Sequence, residues 1–280
     1  GLTQAINNYI PQVINFLKER ELEVSPEKST VTLFTLDTKE ARIHPQVMMN
    51  NVLVRLEKTP KLLGVTFDTM YTFSTHVKKA ADKSKSKINL MKSLAGSTWG
   101  QDKETLTMTY KAIGRSVLEY AAPVWSPIIS NTSWRRLQTA HNQAMRIITG
   151  NLKMAPEEHL HRETKMLPIK EHCQMISKQY LLTCHQPHHP GYKHVRKPTP
   201  PRNMKSTIQI YRDSIQHLLP ITNKKDLKTK IKKIHTTEVA NTIQNYPPNK
   251  VLHNTPPLVN KEEASLPREA RSKLTQLRTG

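Results

Sequence analysis

The hydrophobic period of this chain changes once, near residue 70, and that change limits its fold more than any other feature. Upstream, apolar residues alternate with polar ones: Val31 and Leu33 between threonines in 29–35, then Val47 and Met49, and Val52, Val54 and Leu56 beyond Asn50-Asn51. Alternation marks half-buried strands, and an Asn-Asn pair tolerates the positive φ of a hairpin turn. Lys61–Phe67 reads as a further strand with Gly64 inside it, where a bulge or a close approach to the backbone is expected. One helix precedes the strands, with Ile6, Ile10, Val13, Ile14 and Leu17 on one face, and Ser25-Pro26 turns the chain after it.

Downstream the period is helical. Phe73, Val77, Ala80, Ala81, Ser84, Ile88 and Met91 line a long helix that ends near Gly96. Leu106, Tyr110, Ile113, Val117 and Tyr120 face inward from a helix over 103–121, closed by Pro123 and Pro127. Leu137, Ala140, Ala144 and Ile148 do so from Ser133–Ile148, and shorter helices are expected near 156–164 and 168–185. The expected fold is α+β: a partial β-sheet with one helix in 1–70, a helical bundle in 71–150, a helical extension over 151–186, and a largely irregular basic tail over 187–280. In the tail, Ile208, Tyr211, Ile215 and Leu218, and then Leu227, Ile231 and Ile234, keep helical spacing. Residues 186–191 and 197–202 read as proline-rich linkers, and 245–268 as disordered.

Charge follows the same division. Residues 1–59 hold seven Lys+Arg and seven Asp+Glu; 60–150 hold 13 against 5, and 151–280 hold 23 against 10, so the net +21 accumulates only after Lys61. A cationic excess sustained over that length points to a polyanionic partner; a solvated basic face is the plainer account of any single lysine. No run of about 18 apolar residues is present, so no membrane partner is expected. Gly1-Leu2-Thr3 carries no basic or apolar leader and reads as an internal start, so an intracellular place (nucleus or cytoplasm) is expected, not secretion. Cys173 and Cys184 give no disulfide framework, stand three helical turns apart and read as core; with His172, His185, His188 and His189 nearby, no metal site is assigned. Trp125 is expected in the core and Trp134 partly exposed.

Four strings, in order, resemble the reverse transcriptase of non-LTR retrotransposons of the Jockey-like group. Phe16-Leu17 through Leu22-Glu23-Val24-Ser25-Pro26-Glu27-Lys28-Ser29-Thr30 resembles motif D of that family, and Lys61-Leu62-Leu63-Gly64-Val65-Thr66-Phe67-Asp68 resembles motif E, the primer grip. Tyr110-Lys111-Ala112-Ile113 through Pro123-Val124-Trp125, and Leu137-Gln138 through His141-Asn142-Gln143-Ala144-Met145-Arg146-Ile147-Ile148-Thr149-Gly150, resemble its thumb. Glu163-Thr164-Lys165-Met166-Leu167-Pro168-Ile169 and Leu274–Gly280 resemble its tail.

The resemblance implies the end of a palm sheet in 1–70 and a thumb in 71–150. Lys28 would be the proton donor to the leaving pyrophosphate. Lys61, Gly64, Lys78, Lys79, Lys83, Lys85, Lys87, Arg115, Arg135, Arg136 and Arg146 would contact nucleic acid. The implied partners are an RNA–DNA hybrid, or an RNA template with a DNA primer, and the rest of the polymerase upstream. The family's adjacent aspartates, which hold Mg2+ in the complete polymerase, have no counterpart here, because the sequence has no Asp-Asp pair. The chain by itself is therefore expected to bind no cofactor and not to polymerise. A non-catalytic basic remnant that binds nucleic acid, and a basic scaffold for an acidic protein, stay open as alternatives; an Asp-Asp string a few tens of residues upstream in the reading frame separates the first of these from the polymerase.

Overall fold

The computed structural model describes residues 1–96, 99–196, 206–246 and 261–279. It divides into two units, Gly1–His76 and Val77–Gly280.

The first unit is one helix and three two-stranded ladders. α1 (Leu2–Lys18) buries no residue fully: Ile6, Ile10, Ile14 and Leu17 are half-buried, and Val13 is exposed. The Asn7 amide ties it to the strands, donating to Gln46 O (3.0 Å) and accepting from the N–H of Met48 (2.9 Å). β1 (Thr30–Val31) pairs in parallel with β4 (Arg55–Leu56). β2 (Met48–Met49) and β3 (Val52–Leu53) form the expected hairpin, with Asn50 and Asn51 both at positive φ. The strand expected over 29–35 is only two residues long; beyond it the Thr32 hydroxyl, not the backbone, bonds Glu57 O (2.6 Å).

Lys61–Phe67 is not one strand. β5 (Lys61–Leu62) and β6 (Val65–Thr66) are the arms of a second hairpin, turned by Leu63 (φ 47°) and Gly64 (φ 88°). A left-handed leucine is costly, so its sequence carries half of a turn signal and hides the hairpin. The core of this unit is small: Val47, Val54, Val65 and Phe73, with Phe34, Phe67 and Tyr71 in ring contact. The Asp68 carboxylate accepts from the backbone N–H of Thr72 (2.9 Å) and Phe73 (2.6 Å), anchoring the turn in which Tyr71 and Phe73 take positive φ.

The second unit is helical in its described residues. α2 (Ser74–Lys92) buries Val77, Ala80, Ala81, Ser84, Ile88 and Met91, the face its periodicity predicts. α3 (Lys103–Tyr110), capped by the Asp102 carboxylate on the N–H of Thr105 (2.8 Å), runs into a π turn at Lys111–Arg115 and then α4 (Ser116–Glu119). The π turn accommodates one extra residue. The buried face therefore shifts by one position, from the expected Ile113 and Val117 to Gly114 and Leu118, and Tyr120 is exposed. Gly114 makes the turn possible: a Cβ there would lie 2.7 Å from the Tyr110 ring, and its carbonyl accepts from the Ser84 hydroxyl (3.1 Å). Pro123 does not end a helix; it stands in the first turn of α5 (Ala122–Trp125), after Ala121 in the left-handed region.

α6 (Asn131–Thr149) is capped by Ser130 and stopped by Gly150 at φ 71°. Trp134, expected partly exposed, is 8% exposed and packs its ring 5.9 Å from Trp125. α7 (Glu157–Thr164) and α8 (Ile169–Thr183) follow, and α8 is the central helix, packed by α5, α6 and two helices of the tail.

The described tail is not irregular. After a short α9 (Tyr192–Val195), α10 (Thr207–Ile215) opens with a Ser206–Gln209 capping box, and α11 (Lys224–Ile243) runs 20 residues. Ile215, Leu218, Leu227 and Ile234 close over Leu167, Met175 and Leu182 in one apolar cluster. Widely spaced apolar residues in a lysine-rich stretch suffice because α8 supplies the facing surface. Of the segment read as disordered, 247–260 lies outside the described residues, but α12 (Lys261–Ser265) and α13 (Arg268–Thr279) are helices.

α13 is held by buried ion pairs. Arg278 reaches Glu163 (3.3 Å) and Glu263 (2.8 Å), and Lys103 reaches Glu163 (2.7 Å) and Glu263 (3.8 Å). Arg268 donates to three main-chain carbonyls, Gly96, Gln101 and Ile147, each at 2.9 Å. Removing one member of a buried cluster leaves its partners unpaired. Arg278→Ala should therefore cost about 3–5 kcal/mol in denaturant unfolding of the chain, whereas Lys273→Ala, which removes an exposed pair with Glu269, should stay within about 0.5 kcal/mol.

Candidate nucleic-acid interface

The exposed side of α2 follows from its buried side. With Val77, Ala81, Ser84 and Ile88 inward, helical geometry sorts the lysines into two rows flanking the core-facing stripe. Lys79, Lys83 and Lys87 stand four residues apart, about 6 Å per step. Lys78, Lys85 and Lys92 stand seven apart, about 10.5 Å per step along the other flank. All are exposed except the half-buried Lys85, and none forms an ion pair among the described residues. Asp82 is the one carboxylate of the helix. Cationic rows of this kind supply affinity for phosphates without reading sequence.

In the first unit, Lys28 closes a 3-10 turn (Pro26–Lys28) and is exposed, with no ion pair among the described residues. Lys61 and Gly64 are exposed on the arm and turn of the second hairpin. Gly64 thus sits at a hairpin turn and not at a bulge within a strand.

The arginines part company. Arg135 and Arg136 are exposed on α6. Arg115 is 6% exposed, because the π turn rotates it inward to pair with Glu119, whose Oε1 also lies 2.7 Å from His172 Nδ1. Burial pushes the Glu119 carboxyl up, but His172 and the Arg115 guanidinium outweigh it and hold it below the usual carboxylate range. Arg115 is a core ion pair, not a phosphate contact. Arg146 is half-buried and lines a groove with Lys92 at the end of α2. A further row lies outside the residues that the resemblance assigns to nucleic acid: in the basic run over 224–233, whose apolar residues keep helical spacing, Lys224, Lys228 and Lys232 are exposed on α11, again four residues apart.

The thumb-like strings also supply a buried polar network. Tyr110 Oη lies 2.7 Å from His141 Nδ1, and the His141 and His161 rings stack at 5.5 Å. The Gln138 amide donates to Asn142 Oδ1 (2.7 Å) and to His161 Nε2 (3.0 Å), while its oxygen accepts from the N–H of Ile169 (2.9 Å). His161 Nδ1 must then carry the proton it gives to Met166 O (2.9 Å). Burial drives the His141 imidazole well below its ordinary pKa and His161 down to about 4, so both are neutral in the fold. This network joins α3, α6, α7 and the start of α8.

The chain is 24% identical over 183 residues to the probable RNA-directed DNA polymerase from transposon BS of Drosophila melanogaster, which covers 63% of this chain and 19% of that protein. It is 24% identical over 175 residues to the probable RNA-directed DNA polymerase from transposon X-element of the same organism, covering 62% and 19%. These similarities relate the chain to transposon RNA-directed DNA polymerases, and it spans about a fifth of the length of the relatives it matches. No family model and no solved structure matches it. Among the described residues, no helix is long and apolar enough to cross a membrane.

The histidines give a pH test. Between about pH 6.5 and 4 the unfolded chain takes up a proton that folded His161 refuses, so stability is full above that window and is lost as pH falls through it. A shift of this size amounts to about 3 kcal/mol. Melting temperatures of the chain should fall across that range, and His161→Gln should flatten the dependence.

Proposed function

We propose that the chain is the post-catalytic part of a non-LTR retrotransposon reverse transcriptase of the Jockey-like group, and that its helical unit grips the template–primer hybrid. The observation that carries this is the pair of lysine rows that flank the buried apolar stripe of α2: six lysines, five of them exposed, against a single carboxylate, Asp82. Similarity to two transposon polymerases makes nucleic acid the natural polyanion, and a hybrid gripped by such rows is held by its backbone and shape. The residues present do not fit a two-Mg2+ centre: the sequence has no Asp-Asp pair, and among the described residues no three His, Cys, Asp or Glu converge. On this reading the metal-binding carboxylates and most of the palm belong to the portion of the relatives that the chain does not span.

The test is binding of an RNA–DNA hybrid to the full chain across a salt series. Replacing Lys79, Lys83 and Lys87 together by alanine should weaken binding at low salt and reduce the slope of log affinity against log salt by about 3, roughly one counterion per lysine. A slope unchanged by the triple substitution would reject α2 as the gripping face.

Lys28 has a separate place in the reading. At the exposed end of its 3-10 turn it would give a proton to the pyrophosphate oxygen as the phosphorus–oxygen bond breaks. In the complete polymerase, Lys28→Ala should slow nucleotide addition by about 100-fold and leave hybrid binding nearly intact; a normal rate would dismiss the role.

A further inference from the structure

A groove of about 790 Å³ opens in the second unit between the end of α2, the C-terminal half of α6 and α13. Its cations are Lys92, Arg146, Lys153, Arg268 and Lys273, against one carboxylate, Glu269, which is already paired with Lys273 at 2.7 Å. Arg268 is committed to three carbonyls and is wall rather than ligand-binding group. Lys92 is shared with a row of α2, so the cations particular to the groove are Arg146, Lys153 and Lys273, the two lysines exposed.

A second observation is independent of charge. Two lining donors, Arg146 Nε and Asn151 Nδ2, are buried and have no hydrogen-bond partner among the described residues. Buried donors are almost always satisfied. The groove is also built tightly: α6 and α13 approach so closely that a Cβ on Gly150 would lie 2.7 Å from Ser272 Cβ, and Gln276 donates to Gly150 O at 2.7 Å. Its floor includes Ala95, Gly96 and Ile147, so it offers an apolar surface beside the cations.

We infer that this groove binds a single strand of nucleic acid, with Arg146, Lys153 and Lys273 on phosphates and the apolar floor beneath a base or sugar. A groove of this size is on the scale of a pocket that encloses a small ligand, which suits a short segment of one strand along a cationic groove. Neutral ligands leave the cations uncompensated, and a compact free anion would leave the floor uncovered. The inference rests on the nucleic-acid reading above and deepens it, separating a single-strand site from the duplex-gripping rows of α2. Neither Lys153 nor Lys273 belongs to those rows.

The experiment measures binding of a labelled single-stranded oligoribonucleotide and of an RNA–DNA hybrid to the full chain and to its Lys153→Glu/Lys273→Glu variant. The site predicts that single-strand affinity falls at least about 10-fold, equivalent to about 1.4 kcal/mol, while hybrid affinity stays within about twofold. Arg146→Gln should weaken the strand in the same direction, with circular dichroism confirming an intact fold. Unchanged single-strand affinity in the double variant overturns the site. Equal losses for both ligands overturn it as a distinct site. Displacement of the strand by inorganic phosphate at matched ionic strength assigns the groove to a free anion and overturns the strand. The α2 triple alanine variant, run in parallel, reports on the hybrid grip alone, so failure of that reading is seen separately.

Discussion

The Glu163 carboxylate is the point on which the helical unit turns. It lies buried at the end of α7, where Lys103 from the start of α3 and Arg278 from the end of α13 both reach it, and Thr275 adds its hydroxyl at 3.5 Å. A carboxylate so deep is costly unless its charge is met. Meeting it draws together segments 60 and 115 residues away along the chain. Glu263 doubles the arrangement, and hydrogen bonding to Arg278 holds its carboxyl below the usual range. α13 is thereby fixed against α7 and the start of α3, and it forms one wall of the groove beside α6.

This sorts a strongly basic chain into two populations of cation. Arg115, Arg268, Arg271 and Arg278 are structural: each meets a carboxylate or a set of carbonyls, and each is largely or partly withdrawn from water. Five lysines of α2, and Lys224, Lys228 and Lys232 of α11, stay exposed and form no ion pair among the described residues. The division follows side-chain chemistry only in part, since Lys103 is also buried on Glu163 and Arg135 and Arg136 are exposed. A guanidinium offers a planar fork of donors and tolerates burial when several acceptors surround it, whereas an ammonium holds its hydration and snorkels outward. The count of 43 Lys+Arg therefore overstates the cations available to a polyanion, whereas the net +21 already discounts those paired with carboxylates.

The sequence disclosed periods well and registers poorly. α2 and α6 lie where periodicity puts them, since each has one uninterrupted apolar face. The face of α3 through α4 could not be foreseen past Tyr110, because a π turn is stabilised by tertiary contacts, the Tyr110 ring on Gly114 and the Ser84 hydroxyl on its carbonyl, that no local pattern displays. The same limit misassigned Arg115. The Leu63-Gly64 turn was missed because its leucine violates the conformational rule that turn signals rest on. The helical tail was underestimated for a different reason: α10 and α11 are amphipathic only in relation to α8, and propensity cannot reveal a partner surface. Of the candidate site, the lysine rows were readable from spacing, while the groove was not, since its walls come from three separated segments.

The strings that resemble the polymerase family are, in large part, packing instructions. Glu163 in one tail-like string and Arg278 in the other are the two ends of a single ion pair. Gln138, His141 and Asn142 in a thumb-like string are members of one buried network. Such residues tolerate few replacements, because each unsatisfied donor or charge in the core costs several kcal/mol. The lysine rows face no such constraint: any cation on the exposed flanks of α2 contributes about equally to holding a phosphate backbone. Family likeness in a chain of this kind should therefore concentrate in buried polar residues, and the surface that touches nucleic acid should be recognised by charge and spacing rather than by identity.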